Sequence, residues 1–290
     1  AIGVQNNVSG FKSTAIGHNN EVKAQGSIVT GYDNTTTDRS YDTVVQGAKN
    51  TVDGDRNVVS GAMNTTSHNL ATAIGVQNNV SGFKSTAIGQ NNEVKGQGSI
   101  VTGHDNKTSA VSYDTVVQGA WNNVDGDRNV VSGAYNTTSA HRATAIGMQN
   151  EVSGYRGTAI GQNNVVTEGR ALALGASNRS QGESSVAIGN ISAALGDSTI
   201  AIGHQAQTAN GVERAIALGA DSRANNADDI ALGSQAVTAK AIGTAGVTLN
   251  GTNYAFAGTT PKGILSIRRA DFERTITNVA AGRASATSTD

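Results

Sequence analysis

Apolar and polar positions along this chain follow a short, fixed rhythm. The unit Ala15-Ile16-Gly17 returns as Ala73-Ile74-Gly75, Ala87-Ile88-Gly89, Ala145-Ile146-Gly147, Ala159-Ile160-Gly161, Ala187-Ile188-Gly189 and Ala201-Ile202-Gly203. Val29-Thr30-Gly31, Val45-Gln46-Gly47 and Val59-Ser60-Gly61 are the same unit with polar centres. The repeat glycines run from Gly3 to Gly233 at a spacing of 14, broken by three steps of 16. Self-similarity at a fixed period marks a repeat architecture, in which each unit buries its apolar face only by stacking on the next. The pattern predicts an all-β solenoid of 14-residue coils.

Each position of the coil has its own chemistry. Two residues before the glycine sits only Ala or Val, and five after it Val or Thr dominates the early coils, as at Val8, Val22, Val52, Thr66 and Val80. Two short strands and two tight turns would aim both positions into a narrow interior. Strand side chains alternate faces, so residues one and three before the glycine point outward. There stand Thr14/Ile16, Thr86/Ile88, Val186/Ile188, Ile200/Ile202 and Ile216/Leu218. An apolar row on an outer face is costly unless covered and marks an interface, so the repeat implies self-association.

Three residues after the glycine comes asparagine in every coil from Asn6 to Asn178, giving way to Ser or Ala from Ser192. Asparagine tolerates the left-handed region and bonds turn backbone, and stacked asparagines form ladders. A second glycine, as at Gly10, Gly54, Gly82, Gly96 and Gly126, marks the other turn. Residues 1–72 and 73–144 are near copies. The steps of 16 fall around Asp38-Arg39-Ser40-Tyr41, Ala110-Val111-Ser112-Tyr113 and Asn210-Gly211-Val212-Glu213-Arg214, where two additional residues should bulge outward. After Gly243 the rhythm stops. The expected organisation is a head of coils over 1–243, a connector over 244–271 with a hairpin around Asn250-Gly251, and a closing module over 272–290.

Composition narrows the picture. With 36 glycines, one proline and 4% aromatic residues in 290, the chain cannot fill a thick core, but it suits a thin solenoid. Strict periodicity argues against disorder, which needs no register. A net charge of −1 gives no electrostatic case for nucleic acid. There is no apolar run long enough for a transmembrane helix and no signal peptide at Ala1, and the start in mid-repeat reads as part of something longer. Cysteine is absent, which rules out disulfides and thiolate metal sites.

Asp53-Gly54-Asp55-Arg56-Asn57 and Asp125-Gly126-Asp127-Arg128-Asn129 have the residue types of calcium-binding turns. Each occurs once per 72 residues without a nonapeptide tandem, so turn chemistry is the preferred reading. No Ser/His/Asp arrangement can be argued, and the coil period differs from that of hexapeptide-repeat acyltransferases. No cofactor and no enzymatic activity are expected. Arg39, Tyr41, Tyr113, Trp121 and Tyr135 stand out on a chain poor in aromatics; such residues are favoured binding anchors, against the plainer reading of loop packing.

The Ala-Ile-Gly unit at this period resembles the head repeat of YadA-like trimeric autotransporter adhesins over roughly 1–243. Arg274-Thr275-Ile276-Thr277-Asn278-Val279-Ala280-Ala281-Gly282 is similar to that family's neck, and Arg283 to Asp290 continues in its style. The resemblance implies a left-handed parallel β-roll and an intertwined homotrimer, closed by a neck in which Arg274, Ile276, Asn278 and Val279 take part. A coiled-coil stalk and a C-terminal membrane-anchor barrel would follow. It also implies that Ile16, Ile74, Ile88, Ile146, Ile160, Leu174, Ile188, Ile202, Leu218 and Leu232 line the trimer interface. Thr30, Gln46, Ser60, Thr102, Gln118 and Ser132 depart from the pattern and make part of that axis polar. His18, His104 and His204 follow repeat glycines, and three copies meeting on a threefold axis is the one metal reading kept open for them. The expected function is adhesion at a bacterial surface: multivalent display on a rod on the order of 80 Å long at the strand spacing. Its partners would be host matrix, a cell-surface receptor or the same adhesin on another cell. The alternative is a structural spacer with no ligand of its own.

Overall fold

The structure, a computed structural model, describes residues 1–282; the neck-like continuation over 283–290 lies outside the described residues. Strands and turns make up the fold, with no helix among the described residues. The chain divides into two compact units, Ala1–Thr167 and Glu168–Asp290.

In the first unit each complete coil contributes a five-residue strand, such as Thr14–His18, Ile28–Tyr32 or Thr86–Gln90, and a two-residue strand, such as Glu21–Val22 or Glu93–Val94. Strands of each kind pair in parallel with the next coil. The register sets glycine on glycine, as Gly17↔Gly31, Gly75↔Gly89 and Gly89↔Gly103, and holds across the wide steps at Gly31↔Gly47 and Gly103↔Gly119. This is the expected β-solenoid. Between the two sheets Ala15, Val29 and Val45 of the long strands meet Val22, Val52 and Val80 of the short ones, all fully buried. Ser27 and Ser85 add a polar column to the interior; their hydroxyls donate to the carbonyls of Ser40 (2.8 Å) and Gly96 (2.6 Å). Among the described residues no buried side-chain polar atom lacks a partner.

The asparagines form the ladder, but the left-handed residue is not the asparagine. Positive φ falls one residue earlier, at Asn19 (55°), Asp33 (55°), Lys49 (56°) and Trp121 (57°). The physical reason is that the carboxamide has to face inward. Asn20 Nδ2 donates to Asn6 Oδ1 (2.8 Å) and to the Gly31 carbonyl (2.8 Å), while Asn20 Oδ1 accepts from the backbone (3.2 Å) and side-chain (3.0 Å) nitrogens of Asn34. The strained residue beside it is left to point at solvent.

The second glycines mark the other turn as expected, and Gly54 (φ 101°) and Gly126 (96°) do so with positive φ. Gly10, Gly82 and Gly96 are not in the left-handed region; a Cβ there would lie 1.7 Å, 2.3 Å and 2.0 Å from a carbonyl oxygen of the following coil. Close stacking of backbones requires them, and the positive φ of that turn sits two residues on, as at Lys12 and Lys84. The wide steps bulge outward only in part. A turn over 37–40, closed by the Ser40 N–H donating to the Thr37 carbonyl (3.2 Å), sends Arg39 and Tyr41 outside but Ser40 inward, where its hydroxyl donates to the Val52 carbonyl (2.8 Å). Ser112 repeats this against Val124 (2.8 Å).

In the second unit Leu172–Ala176, Val186–Asn190, Ile200–His204, Ile216–Leu218 and Ile230–Leu232 pair in parallel. Its core is built of alanines, including Ala187, Ala201, Ala217 and Ala224, and Val212 from the third wide step packs against it. Ser192 takes over from the ladder: its hydroxyl and N–H both donate to Asn178 Oδ1, at 2.6 and 2.9 Å. Gly246–Leu249 and Thr252–Ala255 form an antiparallel hairpin that turns at Asn250-Gly251. The chain then returns to the coil sheet, and Leu265–Ser266 adds as one more parallel rung, Ile230↔Leu265. Buried Asp229 accepts the Ile264 N–H (3.0 Å), and Arg274 Nη1 and Nη2 donate to the carbonyls of Ile267 (2.7 Å) and Ser234 (3.1 Å).

Candidate functional site

The outer face of the long strands is the first candidate surface. In the first unit Ile16, Ile74, Ile88 and Ile146 are exposed and Ile160 half-buried. These coils carry a threonine three residues before the glycine (Thr14, Thr72, Thr86, Thr144, Thr158), whereas the polar-centred coils carry Ile28, Val44, Val58, Ile100, Val116 and Val130 there. Each coil therefore shows one apolar and one polar side chain on this face, and the apolar column shifts sides in blocks. In the second unit both columns are apolar: Leu172/Leu174, Val186/Ile188, Ile200/Ile202, Ile216/Leu218 and Ile230/Leu232. Leu174, Leu218 and Leu232 are exposed there, and Ile188 and Ile202 half-buried.

The turn after the glycine supplies a second surface. Within the first unit, Gln77, Asn91, Asp105 and Trp121 occupy the same left-handed position in successive coils, and Asn79, Glu93, Lys107 and Asn123 lie beside them on short strands. Together they line an open groove of about 510 Å³. Tyr135 of the following coil lies parallel to Trp121, ring centroids 6.2 Å apart and planes within 4°, and the His104 ring meets the indole edge-on at 6.2 Å. Most of the groove residues come from the coils preceding Trp121, the side of the indole on which His104 also stands, whereas Tyr135 comes from the coil that follows. Trp121 is 51% exposed. Asp105 is held below the ordinary carboxylate range by hydrogen bonding first from His104 (Nδ1 2.9 Å away) and then from Asn91. Lys95 pairs with Glu93 (2.6 Å).

The five candidate anchors thus divide between two corners of the coil. Trp121 and Tyr135 stack at the first turn, while Arg39, Tyr41 and Tyr113 stand at the other, exposed and not brought together with them. Arg39 is tied to Asp53, which also accepts from the Thr37 hydroxyl (2.6 Å); Asp55 accepts the Tyr41 N–H (3.3 Å). In the near copy Val111 replaces Arg39, and Asp125, the counterpart of Asp53, keeps the hydroxyl partner, accepting from Ser109. These carboxylates are engaged in closing the turn. His204 lies beside Asn190 (3.2 Å). Of the residues expected to belong to a neck, Arg274 bonds the backbone as described, and Ile276, Asn278 and Val279 are exposed. Asp105, Asn79, Asn91 and Glu93 were not singled out from the sequence, and His104 was singled out only as a metal candidate, not as a neighbour of Trp121. The available signal is that residues two and four after the glycine vary from coil to coil between fixed neighbours, as surface columns do.

These repeats have known relatives. A family model for the YadA head domain repeat (2 copies) matches residues 1–20, 9–34, 69–92, 81–106, 153–178, 180–206 and 213–236, together just over half of the chain. The autotransporter adhesin BtaE of Brucella suis is 53% identical over 53 residues, which is 18% of this chain and 7% of that relative. The match spans only that small share of the curated relative's length. Among solved structures, the C-terminal YadA-like domain of a Burkholderia pseudomallei protein shares 38% identity over 41% of this chain and 39% of that one, with a TM-score of 0.23. By its matched repeats the chain belongs to the YadA head domain family, the heads of trimeric autotransporter adhesins.

Proposed function

We propose that the chain acts as the head of a bacterial surface adhesin, displayed as a homotrimer at the cell surface and held there by an outer-membrane anchor beyond residue 290. The observation that carries this reading is the uncovered apolar face of the long strands. Ile74 and Ile88 are 37% and 41% exposed although they sit in the middle of a regular sheet. A contiguous face of this kind needs a cover, and a second and third copy would supply the same chemistry by symmetry. Residues 1–243 would form the head, 244–271 a connector and 272–290 the neck through Arg274, Ile276, Asn278 and Val279. Ile16, Ile146, Ile160, Leu174, Ile188, Ile202, Leu218 and Leu232 would line the interface with Ile74 and Ile88.

Function would then be adhesion without catalysis. Three copies of each outer-face site multiply attachment to host matrix, a cell-surface receptor or a like adhesin, because second and third contacts become intramolecular. A spacer without ligand is favoured by one feature, the near identity of residues 1–72 and 73–144, since duplication lengthens a stack without demanding a ligand. Light scattering on the chain with and without residues 244–290 tests assembly. A trimer that loosens on the deletion supports the reading; a stable monomer removes it. Binding of that trimer to immobilised matrix or cells separates adhesin from spacer.

A further inference from the structure

We propose that the groove closed by Trp121 binds neutral oligosaccharides, seating a pyranose against the indole and its hydroxyls on the amides and carboxylates of the coils beside it; this names the ligand class of the adhesin head and rests on that reading.

Three features of the groove converge on this chemistry. A sugar ring has an apolar face of C–H bonds and a rim of hydroxyls, and it needs a flat apolar wall with polar groups at its edge. Trp121 is such a wall. Tyr135 lies parallel to the indole and the His104 ring stands perpendicular to it, so the ring is held in place before any ligand arrives. Aromatic side chains supply large contact area at low entropic cost.

The second feature is the lining. Asn79 and Asn123 each offer a carboxamide with donors and an acceptor, Asn91 keeps its acceptor and the N–H not given to Asp105, and Glu93 and Asp105 keep lone pairs beyond their bonds to Lys95, His104 and Asn91. Vicinal hydroxyls, which donate and accept side by side, are matched by this mixture. The groove crosses from Gln77 to Trp121, about 14 Å at three strand spacings, the reach of a short oligosaccharide. A few convergent polar groups around one apolar surface are what a small-ligand site requires.

The third is charge. Glu93 and Asp105 face the groove against Lys107, and the nearby Lys95 is already paired with Glu93. With Glu93 neutralised by Lys95 and Asp105 set against Lys107, the lining carries no net charge, so sulfated or carboxylated chains gain nothing there and uncharged ones are matched. A peptide is served less well, since the walls are side chains and offer no free strand edge for backbone pairing.

The test uses the only tryptophan in the chain, so its fluorescence reports this groove alone. The full 290-residue protein, with its mass measured by light scattering, is titrated with neutral tri- and tetrasaccharides built from glucose, galactose, mannose or N-acetylhexosamine. A heparin-derived oligosaccharide serves as the anionic control. The expected result is a saturable change in emission with at least one neutral sugar. By calorimetry, Trp121→Ala should weaken that binding roughly tenfold, in line with the loss of one aromatic contact. Asn123→Ala, which keeps the reporter, should weaken it severalfold. Emission unchanged across the neutral panel, a response to heparin alone, or full binding by both variants overturns the proposal. A monomer in the scattering measurement defeats the trimeric reading instead, and the two failures are read from different instruments.

Discussion

At the repeat glycines two constraints fall on one missing atom. Gly89 has φ of +127°, outside the range of L side chains, and a Cβ there would lie 1.9 Å from the Gly103 carbonyl oxygen. Gly211 also has positive φ (+73°), but nothing lies within 4 Å of its Cβ position. Gly211→Ala should therefore cost about 1 kcal/mol, the left-handed penalty alone. Gly89→Ala should cost more than about 3 kcal/mol, because strain and a backbone clash add; chemical denaturation of the two variants side by side checks the difference. The ladder makes a second prediction at this scale. Buried Asn92 accepts from the backbone and side-chain nitrogens of Asn106 and donates to the half-buried Gly103 carbonyl (2.8 Å). Asn92→Ala leaves these groups unpaired and should cost about 1–3 kcal/mol. Asn92→Asp, isosteric but unable to donate, puts a charge beside the Gly103 carbonyl and should cost more at neutral pH. Equal stability of the two variants across pH would contradict the ladder's role.

The coil was legible in the sequence because its period is fixed by backbone stacking, and stacking tolerates little at each position. Ala or Val two before the glycine, as at Ala15 and Val29, declared the interior directly. What could not be read was the direction of a residue inside a turn. Asn20 and its neighbour Asn19 are chemically alike, and only the inward pull of the ladder puts the positive φ on Asn19. Ser40 in the wide step was hidden in the same way: its inward turn depends on a carbonyl, that of Val52, supplied by the next coil. Trp121 stood out in the sequence, but the groove did not, because its other parts are spaced a coil apart and each alone is an ordinary surface residue. In the second unit the corner pair Arg214–Asp228 gives a testable electrostatic element. Arg214 Nε and Nη2 donate to Asp228 at 2.7 and 3.2 Å, which holds the Asp228 carboxyl below its ordinary 3.8. A carboxylate depressed in the folded state stabilises it above the unfolded value, and the benefit is lost as pH falls through the lowered folded value. Acidification below 3.8 should thus weaken these coils. The effect should be small because the pair is exposed, and Asp228→Asn should flatten that part of the pH profile, read by melting temperature at successive pH values.

Assembly tests the molecule as a whole through the block pattern on its outer face. In the first unit the apolar side chain stands one residue before the glycine at Ile88 and three before it at Ile100 in the next coil. On either column it is partly exposed in the single chain, at 41% and 49%. A packed three-chain interface would have to follow this change of column, so copies shifted by one coil would set Ile88 against Thr102 rather than its own counterpart, giving the face a register as well as a cover. Ile88→Asp would bring three carboxylates together in such an interface. A buried, unpaired charge costs about 3–5 kcal/mol, enough to lower the melting temperature of the trimer or release lower-mass species in light scattering. Phe11→Asp removes a side chain that is more exposed still, at 67%, but on the turn away from the long strands. It should leave mass and melting unchanged. Ile100→Asp should behave like Ile88→Asp although it stands on the other column, because the apolar block has moved there. A trimer indifferent to Ile88→Asp and Ile100→Asp would mean that this face is not where the chains meet.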